Sequence, residues 1–350
     1  MADLIEIDGS MGEGGGQVLR TSLALSLLTQ TPIRIHKIRA GRSRPGLRAQ
    51  HVTCVQAAAR VGAAEVKGAT LGSSELSFRP QALLALDLEL DLGTAGSTAL
   101  VAQTILPALL QAPGPSRIRL RGGTHNPLAP SYEFLERVYF PWIARLGPEP
   151  RAELVRPGFF PKGGGRVDYR LRPSAGRLTP FELRERGALK SIRAEVYLSS
   201  LPDAVAEREL AEVRAAFELR PEDCRVIRPT RPKGPGNALL ITIESEHAIE
   251  VVTAYGQKGK RAEAVASAAI AEARRYLEAE VPVGEHGADQ LLLLFAIAGG
   301  GSFVSLPPSG HSATQCELIP RYLPQLRIET QELSPERWLY RVERTSARVG

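Results

Sequence analysis

The segment LDLELDLGTAGSTALVAQTILPALL, residues 86–110, carries a strand, a glycine-bearing turn and a helix. Leucine alternates with an acidic residue from Leu86 to Leu92, the period of two expected of a half-buried strand. Gly93 and Gly96 with small polar neighbours break that period, and the apolar run to Leu110 reads as a helix. The plan recurs twice. Near the start, the apolar strand Leu4 to Ile7 meets a glycine loop and then the apolar run Val18 to Leu28. Late in the chain, EHGADQLLLLFAIAGG (285–300) sets a polar turn before an apolar helix. Each copy is followed by a strand and a Gly/Pro-rich turn: IRIHKIRAGRSRPG (33–46), RIRLRGGTHNPLAP (117–130) and SFVSLPPSGHSATQ (302–315).

The spacing between copies is unequal. Ile33 and Ile118 are 85 residues apart, Ile118 and Phe303 are 185 apart. Three repeats with about one hundred residues inserted in the last account for the difference. The insertion falls between about Leu183 and Glu280. It has elements of its own: a strand at Ile192 to Leu198, a helix in AVAERELAEVRAAF after Pro202 and Asp203, strands at Cys224 to Ile227 and Ala238 to Ile243, and an alanine-rich helix at Ala262 to Leu277. The fold class expected is α/β with α+β repeats: a large domain, residues 1–182 plus 281–350, and a small inserted α/β domain, residues 183–280.

Composition narrows the class. With 350 residues and 43% apolar content, the chain can bury a substantial core. The net charge of +6 favours polyanionic partners weakly, because it is spread over a long chain. Leu291 to Ala298, the longest strongly apolar stretch, is too short to span a bilayer. Asp3, Glu6 and Asp8 stand where a signal peptide needs positive charge. Cys54, Cys224 and Cys316 are widely spaced and odd in number, which argues against a disulfide framework or a CxxC zinc site. A cytoplasmic protein with no membrane segment is expected.

Five stretches bear chemistry. In GSMGEGGGQVLRT, residues 9–21, glycines let backbone N–H groups approach an anion ahead of a helix N-terminus. No Lys-Ser/Thr follows, and Gln17 stands at the last glycine of GxGxxG, so neither nucleotide-loop pattern is met; a tight strand-to-helix turn reads equally well. Glu13 among those glycines suggests a divalent cation. Arg34, Lys37, Arg39, Arg42, Arg44 and Arg48 run without an acid through a loop bearing Gly41, Pro45 and Gly46. Arginine forks grip phosphate at two points, so phosphate binding is favoured over a solvated surface, with Gln50 and His51 opening the next helix beside it. His125 and Asn126 occupy the matching turn of the second repeat, as ligand contacts or structural groups. In GFFPKGGGRV (158–167), Lys162 and Arg166 flank three glycines, a phosphate cradle or a plain hairpin. His311 follows Pro-Pro-Ser-Gly on a rigid loop, where an imidazole can act as a nucleophile or remain structural. No GxSxG or HExxH occurs.

Taken in order, GSMGEGGGQVLRTSLALS, IRAGRSRPGLRAQH, GGTHNPLAPS, GFFPKGGGRV, GEHGADQ and SGHSAT resemble the RNA 3′-terminal phosphate cyclases, from about Ile5 to about Pro324. The resemblance implies a large domain of three β-α-β-α-β-β units with a smaller inserted α/β domain. It also implies that ATP and an RNA with a 3′-phosphate end are substrates. A histidine attacks the α-phosphate of ATP, the adenylate passes to the RNA phosphate, and the 2′-hydroxyl closes a 2′,3′-cyclic phosphate, releasing AMP. His311 matches the family nucleophile, and Glu13 the acid associated with Mg²⁺ or Mn²⁺. Gln103, Pro130, His286, Gly287, Ala288, Asp289 and Gln290 match adenylate-binding positions. Arg20, Arg39, Arg42, Gln50 and His51 match polar residues of the pocket. The chain departs from the family at His286, where tyrosine is common, and at Gly287, where a larger residue stands.

Two other readings share the fold. A non-catalytic RNA-binding or ribosome-assembly relative lacks the nucleophilic histidine, so His311 argues against it. An enolpyruvyl transferase would bind a small phosphorylated acid and take no label from ATP. Within the insertion, Arg193, Arg228, Arg231 and Lys233 are candidates to grip RNA.

Overall fold

The structure, a computed structural model, describes residues 3–230 and 233–345. The first repeat runs β1 (Ile5–Asp8), α1 (Gly16–Thr29), β2 (Ile33–His36), α2 (Ala49–Gly62), β3 (Glu65–Lys67) and β4 (Leu76–Arg79). The second runs β5 (Asp87–Asp91), α3 (Thr98–Leu109) and β6 (Ser116–Gly122), then a helical stretch of α4 (Tyr132–Phe134), a π-type turn (Leu135–Tyr139) and α5 (Phe140–Leu146), then β7 (Glu149–Arg156) and β8 (Gly165–Arg172). The third opens with β9 (Glu182–Leu183) and is interrupted. The interruption contains β10 (Leu189–Ser199), α6 (Asp203–Phe217), β11 (Cys224–Ile227), β12 (Gly236–Ser245), β13 (Ile249–Tyr255) and α7 (Ala262–Ala279). The repeat resumes with α8 (Glu285–Ala298), β14 (Gly301–Ser305), α9 (Gly310–Tyr322), β15 (Leu326–Ser334) and β16 (Arg337–Arg344).

All three repeats build the same four-stranded sheet. The first strand pairs parallel with the second, the second antiparallel with the fourth, and the fourth antiparallel with the third. Ile33, Ile118 and Phe303 each lie in the second strand of their sheet, so the unequal spacing does mark three repeats with one insertion. The sheet of the insertion has a different order, β11-β10-β12-β13.

Burial explains the patterning. The residues of α1, α3 and α8 are largely buried, and these helices pass through the shared core with Leu23, Ile105, Leu291 and Phe295 fully covered. α6 and α7 cover only one face of the insertion sheet, where Ala206, Val213, Val265 and Ala269 meet Val196, Leu239 and Ile241. Their alanine- and glutamate-rich sequences fit that single buried stripe. The sequence reading omits β13. Its residues IEVVTAY are mostly buried without strict alternation, so no period of two marks them.

Candidate active site

The glycine loop after β1 lies against α9. Gly12 has φ +55°, and a Cβ there would lie 2.1 Å from Thr314 Oγ1. Thr314 Oγ1 also accepts the Glu13 N–H at 3.1 Å. Only glycine meets both demands, a left-handed backbone and a close approach. Repeat one is thereby pinned to repeat three. His311 is not on the expected rigid loop but in the first turn of α9, after the N-cap Ser309, whose hydroxyl accepts the Ser312 N–H at 3.2 Å. Pro-Pro-Ser-Gly is a helix entry, with serine satisfying an orphan donor.

Gln17, in the first turn of α1, bridges two candidate residues. Its Nε2 donates to Asp289 Oδ2 at 2.7 Å, and its Oε1 lies 2.8 Å from His311 Nδ1. An ionised carboxylate can only accept, which fixes the amide with its oxygen toward the imidazole. The neutral tautomer this selects for His311 has the proton on Nδ1 and the lone pair on Nε2. Glu13 Oε1 stands 3.9 Å from the same Nδ1. Burial pushes the Asp289 carboxyl up to about 6, against the opposing pull of His311, His286 and Arg20.

A cationic wall faces this group. The side chains of His51 and Arg20 crowd Gly16, where an added Cβ would lie 2.5 Å from His51 Nε2 and 2.7 Å from Arg20 Nη1. His51 Nδ1 accepts the Arg48 N–H at 3.0 Å, so its Nε2 bears the hydrogen. Burial, with Arg20, Arg39 and Arg48 nearby, lowers the His51 pKa to about 3. His51 is thus a neutral donor. Arg42 Nη2 donates to the Glu13 carbonyl at 2.8 Å and pairs with its carboxylate. Arg39 Nη1 donates to the carbonyls of Arg44 (2.7 Å) and Gly46 (2.9 Å), holding the basic loop folded. Gln50 Oε1 accepts the Ser97 N–H at 2.7 Å, tying α2 to the turn before α3.

On the other side, Gln103 of α3 donates to Gln290 of α8, and Gln290 Nε2 donates to the His286 carbonyl at 2.8 Å. EHGADQ is not a turn before a helix but the first turns of α8, with Gly284 at the N-cap and Glu285 placed favourably for the helix dipole. Gly287 packs on Trp142, whose ring would lie 2.7 Å from an added Cβ, and Ala288 is buried. His286 is exposed, with Nε2 3.7 Å from Glu272 of α7. Pro130 lies on the β6–α4 loop and makes none of these contacts.

A model of the RNA 3′-terminal phosphate cyclase family matches residues 11–326. The chain belongs to that family. The RNA 3′-terminal phosphate cyclase of Pseudomonas fluorescens is 47% identical over 334 residues, covering 95% of this chain and 96% of the relative. That of Ectopseudomonas mendocina is 47% identical over 321 residues, covering 92% and 93%. The enolpyruvyl transferase NikO from Streptomyces tendae aligns over 97% of this chain and 48% of its own, at 12% identity and a TM-score of 0.37, which is too low to bear on fold or activity. This cyclase-family chain is a ligase-type enzyme, and membership implies ATP use. No helix among the described residues is long and apolar enough to cross a membrane.

Other sequence candidates of the cyclase fall elsewhere. His125 points inward: its Nε2 meets Glu133 at 2.9 Å and its Nδ1 meets Thr124 at 2.8 Å, while its ring lies over Phe159 and Tyr197. Both ring nitrogens are consumed within the protein. Burial alone would raise the Glu133 carboxyl, yet His125 holds it below the usual range. The segment 158–164 joins the antiparallel strands β7 and β8, the hairpin of the second reading, and Arg166 pairs with Asp168 at 3.0 Å along β8. Arg193 and Arg228 are tied to Glu244 (3.7 Å) and Asp203 (2.7 Å), and Arg231 lies outside the described residues.

Gln17 and Glu250 escape sequence reasoning. Gln17 registers there only as a broken GxGxxG position, yet its place in the first turn of the helix is the available signal. Glu250 of β13 accepts the Gly284 N–H at 2.9 Å and so caps α8 from the insertion. No group of three His, Cys, Asp or Glu side chains forms a metal cage among the described residues. Glu13 supplies one carboxylate beside the arginines. Magnesium commonly takes one or two carboxylates and completes its shell with phosphates and water, so these residues fit a cation that arrives on nucleotide phosphates.

Proposed function

We propose that this enzyme converts an RNA 3′-terminal phosphate to a 2′,3′-cyclic phosphate at the expense of ATP, through a covalent histidine–AMP intermediate. The observation that carries the reading is the Gln17–His311 contact, which leaves Nε2 as the nucleophilic nitrogen at a helix N-terminus suited to phosphate. His311 Nε2 forms the N–P bond to the α-phosphate of ATP as the bond to the β-phosphate breaks, releasing pyrophosphate. A 3′-phosphate oxygen of RNA then attacks the adenylate phosphorus, and the imidazole leaves. The RNA 2′-hydroxyl attacks the activated phosphate, losing its proton, and AMP departs. Only an RNA end carries that hydroxyl.

The wall of Arg20, Arg39 and Arg42 neutralises phosphate charge, which dominates the barrier to phosphoryl transfer. Neutral His51 donates a hydrogen bond without adding charge. Gln103, Gln290, Asp289 and His286 provide the adenosine side, with Gly287, Ala288 and Pro130 framing it. Glu13 would hold Mg²⁺ or Mn²⁺, which supplies further charge neutralisation when bound. Residues 1–182 plus 281–350 form the catalytic unit in this reading, with 183–280 inserted. The free cysteines Cys54, Cys224 and Cys316 suit the cytoplasm.

The test is to incubate the protein with α-labelled ATP and Mg²⁺ or Mn²⁺, denature it, and look for acid-labile, alkali-stable label. Wild type should carry label and His311→Ala none. Absence of label from both proteins would defeat the histidine–AMP step, and label persisting on His311→Ala would name another nucleophile.

A further inference from the structure

The glycine loop 158–164, between β7 and β8, presents a basic and aromatic surface that the site above does not use. Phe159 is buried against His125, but the next residue, Phe160, is 66% exposed. The loop meets the 233–236 segment of the insertion reciprocally. An added Cβ on Gly164 would lie 2.3 Å from Lys233 Cδ, and one on Gly234 would lie 2.8 Å from Lys162 Cγ. Each lysine stem thus lies on the other segment's glycine, and both residues are exposed. Arg156 Nε donates to the Gly164 carbonyl at 2.7 Å. Among the described residues, none of Arg156, Lys162 and Lys233 is within ion-pair distance of an acid, whereas the insertion's Arg193 and Arg228 both are.

This surface adjoins the active site through one short loop. An added Cβ on Gly163 would lie 2.8 Å from Ala95 Cα, and two residues on, Ser97 donates to Gln50. Residues 93–97 are therefore held between Gln50 and the glycine loop. An exposed aromatic ring among unpaired cations is the composition that binds single-stranded nucleic acid, by stacking a base and neutralising the backbone. A two-sided surface of this kind also needs both the repeat and the insertion, and Lys162 and Lys233 come one from each.

The geometry points to a platform for the RNA strand upstream of its 3′ end, with Phe160 stacking a base and Arg156, Lys162 and Lys233 on the phosphodiesters. This rests on the cyclase reading above, which places the terminal phosphate at the arginine wall. The platform would give the enzyme a preference for single-stranded 3′ ends longer than a dinucleotide, without reading sequence.

Fluorescence anisotropy on two 3′-phosphorylated RNAs, a dinucleotide and a longer oligoribonucleotide, tests it. Phe160→Ala should weaken the longer RNA roughly 5- to 150-fold, the range for one lost base stack. Lys162→Gln with Lys233→Gln, which keeps most of each stem, should lower the salt slope for that RNA by roughly 1.4, about 0.7 for each phosphate lost. The dinucleotide should bind both variants like wild type. Unchanged affinity and slope on the longer RNA, or equal losses on both RNAs, would overturn the platform; thermal melts check that each variant is folded. Wild-type labelling by ATP separates the two readings. A labelled enzyme indifferent to these substitutions sinks the platform alone, while an unlabelled enzyme whose RNA affinity depends on them sinks the histidine–AMP step alone.

Discussion

The side-chain oxygen of Gln17 lies 2.8 Å from Nδ1 of His311, across 294 residues of chain. The other end of the same amide is held by Asp289. Three elements, α1, α8 and α9, therefore fix one imidazole in one tautomer. A hydrogen bond of this kind acts on orientation, so its loss should appear in rate rather than in nucleotide affinity.

Gln17→Leu removes both contacts while keeping bulk. Covalent labelling by ATP, followed under single turnover, should slow roughly 100-fold, the scale of a nucleophile displaced by about an ångström. The ATP concentration giving half-maximal rate should stay near the wild-type value. A variant that labels at the wild-type rate would show that Gln17 does not orient His311.

Gly12→Ala tests the joint between repeats one and three. A left-handed φ costs a non-glycine residue about 1–2 kcal/mol, and here the new methyl also overlaps Thr314. Adding Thr314→Ala to Gly12→Ala removes the Oγ1 and Cγ2 overlaps but leaves the residue-314 Cβ at 2.9 Å, the strained φ and the Glu13 N–H without its acceptor, so stability in urea should return only in part. Full recovery would mean that the backbone at Gly12 is unstrained.

The first two strands of each repeat sheet were legible because strand, glycine and helix recur in one order, whereas β3, β4, β7, β8, β15 and β16 followed only from the family resemblance. The insertion was legible because unequal spacing exposes it without any knowledge of its fold. β13 was not, since a strand covered on both faces carries no alternation. At the site, residue types suited to phosphate stood out in loops: Arg42 and His51 do meet the glycine loop and His311 meets Gln17 beside it, whereas Gln50 meets the turn before α3. Gln17 was hidden because its role depends on what α8 and α9 bring to it from 272 and 294 residues away. His125 could be read either way for the converse reason: its polar turn looks like the others, and only tertiary packing, which buries it under Phe159 and Tyr197, decides for the structural role.

Gly287 explains its own departure from a larger residue, because Trp142 fills the space. Gly287→Ala should destabilise the protein by about 1–2 kcal/mol, since overpacking a core by a methyl outweighs the helix-propensity gain of alanine. Adding Trp142→Phe to Gly287→Ala shortens the ring at the point of contact and should recover part of the loss. A Gly287→Ala variant more stable than wild type would mean that the indole moves aside freely.

Glu250 links the insertion to α8 through a buried carboxyl, and its burial predicts a pH dependence. Burial raises its pKa from 4.5 to about 7, opposed by the N–H groups of Gly284 and Val251. Between those values the folded state keeps a proton that the unfolded chain has lost, so this group's contribution favours folding below about 4.5 and declines as pH rises to about 7. The full swing is about 3 kcal/mol. Glu250→Gln cannot ionise and keeps an acceptor for Gly284. Its unfolding free energy relative to wild type should therefore rise as pH goes from 5 to 8, as measured by urea titration at several pH values. A constant difference across that range would place the Glu250 pKa near its ordinary value. Glu250→Ala loses the cap at every pH, so it should be less stable than Glu250→Gln throughout.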